Sequence, residues 1–65
     1  MGTLAIRYET ISGIGNLKET DSAVLIDDGE KHIWIPKKLL KQYPNVGDIG
    51  DITLPMWLAI EREIA

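Results

Sequence analysis

Cysteine is absent from the chain, and histidine occurs once. The first absence excludes disulfides and thiolate metal sites, and it suits a reducing cytosol. The second leaves acid–base chemistry with a single imidazole and no thiol beside it. No apolar run approaches the roughly 20 residues of a membrane-spanning helix. The opening MGTLAIRYE lacks the basic stretch followed by an apolar one that marks a secretory leader, and Ile6 stands where myristoylation wants Ser or Thr. Membrane association is therefore not expected.

Recognisable catalytic patterns are missing too. Ser12 and Ser22 fall near turns with no nucleophile-elbow pattern around them. GIGNLK lacks the third glycine of a dinucleotide fingerprint, and no phosphate loop is present. Asp27, Asp28 and Glu30 stand in DDGE, without the spaced ligands of a calcium loop. A hairpin corner explains them without a metal, and Asp48 and Asp51 in GDIGD read as turn residues in the same way. No residue set fills the nucleophile, base and orienting roles, so the expectation is a non-enzyme with no catalytic residue, cofactor or metal.

What is present is a short globular chain. Sixty-five residues make one domain, 1–65. Such a chain buries only about 60% of its unfolded surface, so an oligomeric interface would supplement its thin core. Apolar residues at 45% and charged residues at 26% mark it as folded rather than disordered. The net charge of −3 is unevenly spread. Residues 19–30 hold Glu19, Asp21, Asp27, Asp28 and Glu30 and no base; residues 31–46 hold Lys31, Lys37, Lys38 and Lys41 and no acid. This polarity serves binding, or it solvates the surface.

Periodicity outlines the fold. TLAIRYE alternates, with Leu4, Ile6 and Tyr8 on one side, as a half-buried strand does. The glycines of SGIGN suggest a bend, bulge or loop. SAVLIDDGEKHIWIP reads as a hairpin turning at Asp28-Gly29, with Lys31, Ile33 and Ile35 on one face of its return strand and His32 and Trp34 on the other. Pro36 suits the first turn of a short helix in KKLLKQY, with Leu39, Leu40 and Tyr43 inward and Pro44 as its stop. A strand ends near Leu54. A last helix starts at Pro55, capped by Thr53 or its neighbour, and its stripe of Trp57, Ile60 and Ile64 faces the core. The expected class is α+β and β-rich: a small curved antiparallel sheet, or partly closed SH3-like barrel, of about four strands, with a short helix after the hairpin and a C-terminal helix.

The segment KHIWIPKKLLKQYP carries the candidate partner-binding residues: Lys31, His32, Trp34, Lys37, Lys38, Lys41 and Tyr43. Basic residues interleaved with aromatics suit single-stranded nucleic acid. Separated charge and surface aromatics equally suit a protein-docking module or inhibitor. An oligomer holding a nucleotide in pockets between its copies, a nucleotide sponge, is a third possibility. His32 reads as an exposed strand residue or as a contact. Trp34 lies either under a helix or exposed for binding.

DSAVLIDDGEKHIWIPKKLL followed by GDITLPMWLAIEREIA resembles small uncharacterised proteins of bacteriophages and prophages. The matching residues are Asp28, Gly29, Trp34, Ile35, Pro36 and Lys37, then Pro55, Trp57, Leu58 and Ala59, within roughly residues 20 to 62. The resemblance supports strand and helix placement and carries over no site. It implies a protein in the cytoplasm of a bacterial host, working in early DNA metabolism or interfering with a host protein or defence system. NVGDIGDI separately resembles the turn entering a strand of small SH3-like barrels.

Overall fold

The computed structural model describes residues 6–64. Its elements run β1 (Tyr8–Glu19), β2 (Ala23–Asp27), β3 (His32–Pro36), a 3-10 turn (Lys37–Leu39), β4 (Ile49–Pro55) and α1 (Met56–Glu61). The strands form one antiparallel sheet in the order β3-β2-β1-β4. The sheet is curved and unclosed. Its concave face holds Ile14, Val24, Ile26, Ile35, Ile52 and Leu54, and α1 closes over them with Leu58 and Ala59.

The glycine segment of β1 stays within the strand. β1 slips register between Ile11 and Ile14 against β4 and between Asn16 and Lys18 against β2. Gly13 takes φ 76° in the first slip, which a side chain would strain. Bulges of this kind bend a strand, and here they let one strand serve both halves of a curled sheet. Leu4 lies outside the described residues. Ile6 and Tyr8, expected to face inward, are exposed: at this end of β1 it is Glu9 and Ile11 that are half-buried, while Tyr8 and Thr10 alternate outward.

The hairpin is the most regular part. The chain reverses over Gly29 (φ 98°) and Glu30, one residue later than expected. The Asp28 carboxylate accepts from the Glu30 and Lys31 amides at 2.8 Å each, and the Asp28 N–H bonds the Lys31 carbonyl at 3.2 Å. At the other end the Lys37 N–H bonds the Ser22 carbonyl at 2.8 Å. Antiparallel pairs alternate between bonded and unbonded, so these two ends fix the ladder. Lys31, Ile33, Ile35 and Lys37 direct their main-chain groups toward β2, while His32, Trp34 and Pro36 direct theirs away. Pro36 thus sits where the ladder asks for no N–H.

Two helix expectations are corrected. KKLLKQY makes only the 3-10 turn, after which Leu40 is extended. The Lys41 N–H bonds the Thr53 carbonyl at 2.8 Å and the Thr53 N–H bonds the Gln42 carbonyl at 3.0 Å, adding a bridge on the free side of β4. The segment has to reach from one sheet edge to the other. Extended chain covers about 3.3 Å per residue where helix covers about 1.5 Å.

The stripe of α1 is also different. Leu58 and Ala59 are buried, whereas Trp57 is 53% and Ile60 61% exposed. With only six residues the helix has too few turns for periodicity to choose its face. Ile64 still reaches the core, because Glu63 (φ 59°) turns the chain back. There the Glu63 N–H bonds Ile60 and the Ile64 N–H bonds Ala59, a left-handed helix stop usually given to glycine. Pro55 itself is the N-cap, while Thr53 lies in β4 and its hydroxyl meets that of Thr10 at 2.8 Å.

Candidate interaction surface

Opposite residues in neighbouring strands share a face, so the register lays out the convex side of the sheet. Lys18, Leu25 and Trp34 form one row across β1, β2 and β3. Ile49, Gly15, Asp27 and His32 form the next. A Cβ on Gly15 would lie 3.7 Å from Asp27 Cβ and 3.8 Å from Ile49 Cγ1, so those two side chains meet over a glycine floor. Trp34 is 44% exposed, with Leu25 opposite it and His32 and Pro36 on either side along its own strand. A shallow cleft of about 390 Å³ opens beside these rows, over Gly13 and Gly15 and between Asp27 and Asp48.

The lysines do not form one cluster. Lys31 and Lys37 flank opposite ends of β3. Lys31 Nζ lies 3.7 Å from the Glu63 carboxylate and donates to the Glu63 carbonyl at 3.2 Å. Lys37 Nζ lies 3.0 Å from Glu19 Oε1, while Glu19 Oε2 accepts from Asn16 Nδ2 at 2.8 Å. The Lys37 hydrogen bond, then that of Asn16, holds the Glu19 carboxyl below its ordinary range, and the Glu19 bond in turn raises Lys37. Asp28 is held low by the Glu30 and Lys31 amides. Lys41 stands 4.9 Å from the centre of the Tyr8 ring. Tyr43 packs half-buried against the core.

Of the seven residues singled out from the sequence, the fold brings His32 and Trp34 together on one face. Lys37 and Lys38 line a second cleft of about 470 Å³ with Asp21, Ser22, Ala23 and Pro36. Lys31, Lys41 and Tyr43 lie apart from these. The sequence reading missed Lys18 and Leu25, which stand beside Trp34 only through the β1–β2 register. It also missed Asn16, which is 1% exposed and gives its amide to Glu19 and, at 2.8 Å, to the Pro44 carbonyl. Its main chain bonds Gly47 and Asp48, so the side chain and main chain of one residue hold the loop before β4 against β1.

Among the described residues no group of three or more His, Cys, Asp or Glu side chains is placed to hold a metal ion, and no helix is long and apolar enough to cross a membrane. Comparison with protein-family models, with curated proteins and with solved structures yields no match.

Proposed function

We propose that the chain is a non-enzymatic binding protein that occupies a protein partner through the convex face around Trp34. The observation that carries this reading is the half-open indole in the Lys18–Leu25–Trp34 row. A tryptophan gains most from burial, and one held on a paired strand is ready to be covered at little entropic cost. The resemblance to phage proteins makes a macromolecule of a bacterial host, such as a defence component, the partner class to test first.

A second reading, single-stranded nucleic acid, draws on the same indole with Lys18 and His32 beside it. It ranks lower because Lys31 and Lys37 already pair with carboxylates, Lys41 sits on Tyr8, and the whole chain is anionic. A nucleotide sponge would need pockets completed by further copies.

The test is affinity capture from a bacterial lysate with the wild type and Trp34→Ala in parallel, checked by mass spectrometry. The expected result is a protein retained by the wild type and lost by the variant while the fold is unchanged. Retention of every captured protein by Trp34→Ala would defeat the reading. Reversing Lys37, Lys38 and Lys41 to Glu then asks whether the basic stretch contributes. Oligonucleotide binding that weakens steeply as salt rises would favour the second reading.

A further inference from the structure

The two edges of the sheet are treated differently. The β4 edge carries the bridge from Gln42 to Thr53. The β3 edge carries nothing among the described residues: no main-chain hydrogen bond reaches the amides of His32 or Trp34 or the carbonyls of His32, Trp34 or Pro36 from that side. Natural edge strands are ordinarily protected by a bulge, an inward charge, a mid-strand proline or a covering segment. His32–Pro36 has no bulge against β2, carries no lysine within it, and places its proline last.

We propose that β3 pairs with β3 of a second copy of this chain, antiparallel and centred on Trp34, to form one continuous sheet. The edge is complementary to itself in three ways. First, the side chains read Ile-Trp-Ile about the centre, so Trp34 faces Trp34, and Ile33 faces Ile35 of the second copy. Second, the hydrogen-bonding groups match. The Trp34 N–H reaches the Trp34 carbonyl of the second copy, and the His32 N–H reaches its Pro36 carbonyl, each with a symmetric mate. Every outward N–H in the strand is used, and Pro36 is asked only for the carbonyl it has.

Third, charge does not oppose the contact. Lys31 and Lys37, which approach one another across the twofold axis, each have a carboxylate of their own chain, Glu63 and Glu19. Such an isologous contact closes on itself, so the assembly stops at two copies. It leaves the convex face uncovered and sets two indoles side by side on it. The pairing is therefore independent of what that face binds.

The test is a concentration series by sedimentation or native mass spectrometry, with amide exchange followed by NMR. The wild type should pass from 7.3 kDa to twice that mass as concentration rises. The amides of His32 and Trp34 should gain protection over the same range, and those of Ile33 and Ile35 should be protected throughout. His32→Pro removes only an outward donor and should weaken dimerisation roughly tenfold or more while leaving the fold intact. Trp57→Glu, on the exposed side of α1, should leave the dimer unchanged.

A wild type that stays at the monomer mass at millimolar concentration overturns the proposal. So does a dimer whose His32 and Trp34 amides exchange as in the monomer, or one abolished by Trp57→Glu and untouched by His32→Pro. A strand of some other protein protecting the same two amides, with the isolated chain monomeric, would assign the edge to that protein instead.

Discussion

The β2–β3 hairpin and the helix α1 are each short, apolar and tryptophan-bearing, yet the sequence assigns the strand faces of one and misorients the other. In the hairpin the period is two, and five residues are enough to repeat it. Ile35 is buried and Trp34 exposed because each neighbour must take the opposite face. In α1 the period is 3.6, and six residues show less than two turns of it. The stripe of Trp57, Ile60 and Ile64 is a valid helical pattern, but the chain leaves the helix before Ile64. Without that third member, Leu58 and Ala59 bury more readily against the small concave face. Short strands commit their faces locally, whereas short helices take theirs from whatever they land on.

The largest expected effect sharpens this contrast. Ile35 is 0% exposed, and Ile35→Ala should cost about 2–5 kcal/mol in urea unfolding. The matched change in the helix, Ile60→Ala at 61% exposure, should stay within about 0.5 kcal/mol. Equal costs would mean that the helix buries the stripe read from its sequence and that the contrast is false.

Asn16→Ala should follow, at about 1–3 kcal/mol, because the Pro44 carbonyl loses its buried donor and Glu19 loses one of its two. A smaller shift is expected with pH. The carboxyls of Glu19 and Asp28 are lowered in the folded state from ordinary values of 4.5 and 3.8. Their contribution is therefore complete above those values and is lost as pH falls through the lowered ones. Lys37 is raised from 10.5, so its share is present below that value and fades as pH climbs past the raised one. Thermal melts of the wild type and of a Glu19→Gln, Asp28→Asn double variant should converge as pH drops, and a gap that persists in acid would refute the assignment. The smallest effect has the opposite sign. Glu63→Gly relieves a left-handed backbone and gives up an exposed ion pair, for a net gain of about 0.5 kcal/mol in the free energy of urea unfolding.

The fold class was legible because alternation and turn residues act over a few positions, as at Ile33–Ile35 and around Gly29. The 3-10 turn was not, because Leu39, Leu40 and Tyr43 satisfy helical spacing while the distance between two sheet edges overrides it. The candidate surface was legible only at His32 and Trp34, which share a strand. Lys18 joins them through register, and register across a bulge is set by the folded sheet rather than by spacing in the chain. The lysine run looked like one patch because it is contiguous in sequence. A strand and a turn distribute it over both ends and both edges, where Glu63, Glu19 and Tyr8 take up three of its members.

The pairing of β1 with β4 joins Tyr8 to Pro55, whereas β2 and β3 meet across a corner of a few residues. Loop closure is slow for the first and fast for the second. In refolding the hairpin therefore forms well before the central strand gains its outer neighbour, and that strand keeps one side open until Ile49–Pro55 docks. The sheet becomes cooperative only once β4 pairs, so a chain cut before Ile49 would keep a hairpin without a fold around it.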